Sequence, residues 1–239
     1  MCRTSLAVLT LAASAGLASN ASAVTFFDGV FNNADWSLTT ILNPNAAGSS
    51  VSGLQFLTGG NPNEYRRIRN QLTVSSPTGI LHGFHMNVTA FYDPSNQGAI
   101  ASIDYSEDSI NFVNQNGNGQ GSGLAIIQNG RFYRTSSLLV MPFATFSTWQ
   151  PNSQLGLTAA SFWEVNTSTG MVIAGSPDFS ASGSIMQLGF CRANSNNGSI
   201  NTECGIDNWR VQINQVPAPG AAALLGLGTL VMARRRRTR

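Results

Sequence analysis

Strict alternation near the end of the chain constrains the fold more than any other feature. In the run Gly205-Ile206-Asp207-Asn208-Trp209-Arg210-Val211-Gln212-Ile213, the side chains of Trp209, Val211 and Ile213 fall on one side and those of Asn208, Arg210 and Gln212 on the other. A two-residue period belongs to a strand with one buried face; a helix of period 3.6 would scatter these apolar residues around its surface. The period recurs. Phe84, Met86, Val88, Ala90 and Tyr92 oppose His85, Asn87, Thr89 and Phe91, and Ile68, Leu72 and Val74 oppose Arg67, Arg69 and Gln71. Turn clusters such as Gly59-Gly60-Asn61-Pro62 and Asn116-Gly117-Asn118-Gly119 separate the runs. Roughly a dozen strands can be drawn in this way, with no long amphipathic helix, so the expected fold is all-β, a two-sheet antiparallel jelly-roll sandwich.

The two ends follow other rules. Arg3, the apolar segment Leu6 to Leu17 and the small-x-small site Ala21-Ser22-Ala23 form a secretory signal peptide over residues 1–23, expected as a helix. Cys2 precedes the apolar segment and leaves with it. At the other end, Val216-Pro217-Ala218-Pro219 is followed by an apolar stretch of 14 residues, Gly220 to Ala233, and then by Arg234-Arg235-Arg236-Arg237. That stretch is shorter than the ~20 residues of an ordinary membrane span, which suits a transient inner-membrane anchor with the arginines held on the cytoplasmic side. Residues 216–239 are therefore an address, expected as a hydrophobic helix, and residues 24–215 are the folded domain.

With both ends taken together, the chain resembles the PEP-CTERM proteins, exported bacterial proteins whose C-terminal sorting signal is read by an exosortase. The resemblance rests on Val216, Pro217, Ala218 and Pro219, the apolar stretch, and Arg234, Arg235, Arg236 and Arg237; the family's motif has Glu where this chain has Ala218. It implies the Sec translocon, signal peptidase and exosortase as partners. It also implies cleavage near the proline motif and a mature protein at the cell surface or in an extracellular, biofilm-like polysaccharide matrix.

Charge narrows the function of the middle. Of 13 basic residues, six lie at the two ends, leaving seven arginines and no lysine against all 11 acidic residues. A mildly acidic domain of this kind is a poor nucleic-acid binder, because phosphate neutralisation dominates that affinity.

Three local runs carry a second resemblance: Phe26-Phe27-Asp28-Gly29, the segment Gly59 to Arg67, and Gly205 to Trp209. They are similar to runs in laminin-G-like and concanavalin A-like jelly rolls and in carbohydrate-binding modules. That likeness implies Asp28 near the first strand and Asp207 on the last as ligands for a structural Ca²⁺, an ion that prefers hard oxygen donors. The run Ser102-Ile103-Asp104-Tyr105-Ser106-Glu107 looks like the Glu-x-Asp-x-x-Glu strand of laminarinase-type glycoside hydrolases, with Ser102 where those enzymes keep the nucleophile. A serine cannot form the usual glycosyl-carboxylate ester, and retaining hydrolysis needs two carboxylates about 5–5.5 Å apart. The expected protein is accordingly a non-enzymatic surface protein with a carbohydrate-binding-like sandwich. The alternatives are a secreted concanavalin A-like hydrolase or lyase and a structural surface protein without ligand.

The candidate sugar contacts are polar strips that carry an aromatic. One is Phe91 with His85 and Asn87; the other is Tyr65 with Arg67 and Arg69. If the second face of the sheet is covered, these aromatics are core instead. The only histidines, His82 and His85, point to opposite faces of one strand and make a poor metal pair. Cys191 and Cys204 flank a polar stretch between the last two strands. After export such a pair is most simply a disulfide, with two free thiols as the alternative.

Overall fold

Strands β1 (Ala23–Asp28), β2 (Trp36–Leu42), β3 (Ser50–Gly60), β4 (Asn63–Leu72), β5 (Gly79–Tyr92), β6 (Ile100–Asn111), β7 (Gly121–Gln128), β8 (Arg131–Thr135), β9 (Leu139–Val140), β10 (Gln150–Leu157), β11 (Phe162–Val165), β12 (Val172–Ile173), β13 (Met186–Asn196) and β14 (Ile200–Gln215) follow one another along the chain. The structure is a computed structural model that describes residues 23–75, 77–112, 119–140 and 148–217. The expected signal helix before Ala23, and Ala218, Pro219, the apolar tail and Arg234 to Arg237, lie outside the described residues. Residues 23–216 form one unit.

The strands pair antiparallel in two sheets, as the alternation requires. One is six-stranded, β10-β6-β14-β4-β3 with β1 also paired to β14; the other is eight-stranded, β12-β11-β8-β7-β13-β5-β2 with β9 also paired to β7. The hairpin from β7 to β8 turns on Asn129-Gly130, both at positive φ, as a two-residue turn between right-twisted strands demands. β14 changes partner midway: Ile200 to Ile206 pair with β4, and Trp209 to Asn214 pair with β1. The change falls at Asp207-Asn208, where the register against β6 also shifts and Asn208 takes φ 49°. Asn enters that left-handed region more readily than most residues.

The main core lies between the sheets and includes Ile68, Ile103, Leu124, Leu188, Phe190, Trp209, Val211 and Ile213. Trp36 anchors one end, edge-on to Trp209 at 5.1 Å and stacked on Phe31 at 5.3 Å. A second apolar cluster, with Ile41, Phe84, Met86, Ala125, Val165 and Cys191, occupies the other face of the eight-stranded sheet. That face is strongly curved. Phe84 on β5 and Phe132 on β8 are three strands apart, about 14 Å in a flat sheet, yet their ring centroids are 5.1 Å apart. The two edges meet: a Cβ added at Gly170, just beyond β11, would fall 2.3 Å from the backbone at Leu42 and Asn43, at the end of β2.

The expected single face for Phe84, Met86, Val88, Ala90 and Tyr92 does not hold. Opposite β13 the register jumps from Met86↔Gly189 to Phe91↔Gln187. The Asn87 Oδ1 accepts the backbone N–H groups of Thr89 (2.9 Å) and Ala90 (3.1 Å), and this local turn competes with the ladder. Before the break Phe84 and Met86 face the concave cluster; after it Ala90 and Tyr92 enter the core between the sheets.

Candidate functional site: a groove on the six-stranded sheet

β4 divides its side chains cleanly. Ile68, Asn70 and Leu72 are buried toward the other sheet, while Arg67, Arg69 and Gln71 stay at the outer face. Cross-strand neighbours share a face. Phe56, Leu54 and Ser52 on β3 stand opposite Tyr65, Arg67 and Arg69, and on the other side β14 brings Glu203 opposite Arg69. Between β3 and these arginines runs a groove of about 320 Å³, lined by Ser52, Leu54, Phe56, Arg67, Arg69 and Glu203.

The groove has an aromatic floor at one end. Phe56 stacks on Tyr65 with ring centroids 5.4 Å apart, and Tyr65 meets Trp149 edge-on at 5.4 Å. Gly205 leaves the room for this: a Cβ there would lie 2.8 Å from Trp149 and 3.1 Å from Tyr65. Burial, partly opposed by Arg67, raises the pKa of the Tyr65 hydroxyl. The Arg67 guanidinium sits over Phe56 (5.4 Å) and Phe112 (4.6 Å) and donates to the Glu203 carboxylate. Arg69 places its Nε 3.7 Å from Glu203 and donates to Asn201 at 2.9 Å. Phe56 remains 37% exposed. The result is an accessible ring edge beside two guanidinium groups and a carboxylate. A sugar offers matching surfaces, an apolar C–H face and a ring of hydroxyls.

Tyr65, Arg67 and Arg69 are thus brought together as expected, although Tyr65 is buried beneath Phe56 and acts as its support. Sequence reasoning missed Phe56, Glu203, Phe112 and Trp149. The available signal was Leu54 and Phe56, an apolar pair at i and i+2 whose partners across the hairpin are the outward residues of β4.

The second expected strip is not assembled. His85 is fully buried between the sheets, stacked on Phe190 at 4.7 Å, and Asn87 forms the local turn, whereas Phe91 is exposed beyond the break in β5. The predicted opposition of His82 and His85 is present: His82 faces the concave side of the sheet and His85 the interior.

Asp28 and Asp207, the expected calcium ligands, each carry local hydrogen bonds. Asp28 accepts the N–H groups of Val30 (2.8 Å), Phe31 (2.8 Å) and the Trp36 indole (2.7 Å). Asp207 accepts those of Asn61 and Asn208. Burial chiefly, with Asp108 and Glu64 adding to it, pushes the Asp207 carboxyl above its usual range. Both carboxylates hold turns in place, and no group of three or more His, Cys, Asp or Glu suited to a metal occurs among the described residues.

Asp104 and Glu107 lie on opposite faces of β6. Asp104 accepts from the Gly156 N–H (2.7 Å) and from Asn214 (2.9 Å). Ser102 sits beside it and accepts from the same Asn214 amide at 3.2 Å. Glu107 points into the interior, where it accepts from Tyr105, Ser109, Ser122 (2.8 Å) and Arg192 (3.1 Å). The two carboxylates therefore do not flank a common cleft.

The disulfide is also corrected. Cys191 and Cys204 are free and buried. Consecutive strands β13 and β14 belong to different sheets. Cys191 faces the concave cluster, and Cys204 lies between the sheets, where its thiol donates to Asn111 at 2.7 Å.

No family model matches the chain, and no curated protein matches it. Among solved structures, the chain is similar to the CBM22-1 xylan-binding domain of Paenibacillus barcinonensis Xyn10C, at 6% identity and a TM-score of 0.42, over 83% of this chain and 99% of that one.

Proposed function

We propose that the chain is an exported bacterial surface protein that binds polysaccharide along the β3–β4 groove without cleaving it. The observation that carries this reading is the partly exposed Phe56 set beside Arg67, Arg69 and Glu203 in an open groove. The exposed edge of the Phe56 ring offers an apolar contact for a sugar's C–H groups, and the guanidinium and carboxylate groups orient hydroxyls by charge-assisted hydrogen bonds. The non-catalytic part of the reading is supported by the interior position of Glu107, which is committed to Arg192 and three hydroxyls. Export by the Sec route, exosortase processing and residence at the cell surface rest on the signal segment, the Val216-Pro217-Ala218-Pro219 motif and the arginine cluster.

The test is retention of the purified full chain in gels cast with a panel of soluble plant and bacterial polysaccharides, with reducing ends assayed in parallel. The reading predicts retardation by at least one polymer and no release of reducing ends. Mobility unchanged in every polymer would overturn binding, and released reducing ends would overturn the non-catalytic part.

A further inference from the structure

The concave side of the eight-stranded sheet holds a cavity of about 490 Å³, lined in part by His82 on β5, Arg134 on β8, Leu138, Val172 on β12, and Ser195 and Asn196 on β13. It falls within the ~300–1,000 Å³ of small-molecule sites. Its unusual member is Arg134, which is only 9% exposed. Arg134 Nη1 donates to the Thr135 carbonyl at 2.8 Å, and its Nε has no hydrogen-bond partner among the described residues. All 11 acidic residues of the chain are among the described residues, and none forms an ion pair with Arg134. The other buried arginine of this sheet, Arg192, pairs with Glu107.

A buried guanidinium without a carboxylate is costly to the folded protein, and buried charges are ordinarily paired. The flat fork of Arg accepts a carboxylate through two parallel hydrogen bonds. Gln120 adds a buried Oε1 without a partner to the cavity's lining. Directly opposite Arg134, on the same face of the sheet, β11 carries Trp163, which is 47% exposed. Trp163 is not among the residues lining the cavity, but it stands on the strand next to Arg134, so a ring-stacking surface neighbours the anion partner.

We propose that this cavity binds a sugar acid, a monosaccharide-sized unit whose carboxylate pairs with Arg134 and whose ring face lies toward Trp163. The unit is either a free sugar acid or one residue of an acidic polysaccharide. The site lies on the other sheet from the β3–β4 groove, so the two readings stand or fall on different variants.

Calorimetric titration and thermal melting of the full chain with D-glucuronate, D-glucose and a galacturonate tetrasaccharide test the proposal. Glucuronate is expected to bind and to raise the melting midpoint, and glucose to do neither. Tighter binding of the tetrasaccharide identifies a polymer unit; weaker binding identifies the free acid. Arg134→Met should abolish the glucuronate response and raise the midpoint of the ligand-free protein, because it removes an uncompensated buried charge. Trp163→Ala should weaken glucuronate about tenfold, the effect of losing roughly 1.4 kcal/mol, while Arg69→Ala leaves it unchanged. No response to either acid, an equal response to glucose, a retained response in Arg134→Met, or a lowered midpoint for that ligand-free variant would each overturn the proposal.

Discussion

Cys191 and Cys204 behave as core residues. Burial is the main reason that both thiols are pushed up to about 12. A thiol at that pKa is almost entirely protonated at neutral pH and is a poor nucleophile. Alkylation of the native chain should therefore leave both unlabelled, and alkylation in denaturant without reductant should label both, as read by peptide mass mapping. Failure to label them in denaturant would restore the disulfide. The two histidines set a pH dependence. Burial, then the nearby Arg134, lowers His82 to about 4, and burial, then Arg66 and Arg192, holds His85 well below its ordinary value. Their folded pKa values lie below the unfolded one, so the unfolded chain takes up the protons. Their contribution is fully present above about pH 6.5 and declines as pH falls toward 4, by up to about 1.4 kcal/mol per pH unit for each histidine. The melting midpoint should drop between pH 7 and pH 4.5; an unchanged midpoint would contradict their burial as neutral rings.

Alternation made much of the element scale legible. It placed Trp209, Val211 and Ile213 in the core, put Arg67 and Arg69 on an outer face, and set His82 against His85. The same period, carried along β6 from Ile103 through Tyr105, points Glu107 inward, where the structure has it sealed against Arg192 with both side chains fully buried. Glu107→Gln removes the charge that compensates Arg192, and breaking such a pair costs about 3–5 kcal/mol. Chemical denaturation should show that loss; a change below about 1 kcal/mol would mean that the pair does not hold the sheets together. What alternation could not show is where a strand breaks step. Asn87-Val88-Thr89 continues the polar–apolar pattern through the register jump in β5, so His85 and Phe91 share a face in the sequence and are separated in the fold. Nor does a polar turn reveal that the strands on either side join different sheets, which is why the cysteines appeared pairable.

At the scale of the molecule, a curved eight-stranded sheet closes over its own apolar cluster, and the six-stranded sheet leaves an open groove on its outer face. The proposed role of the two ends as sorting addresses is tested in the cell. Intact-mass analysis of the protein recovered from the producing organism should find the chain without residues 234–237; a mass that retains them would contradict exosortase processing. Whether the groove binds polysaccharide is decided by the affinity of wild type, Phe56→Ala and Arg69→Ala for a retained polymer, with the melting midpoint of each. The Arg69 side chain is 51% exposed, so its removal should change stability by no more than about 0.5 kcal/mol. Both variants are expected to bind about tenfold or more weakly, a loss of roughly 1.4 kcal/mol or more, with the Arg69→Ala midpoint close to wild type. Wild-type affinity in both variants would contradict binding in the groove.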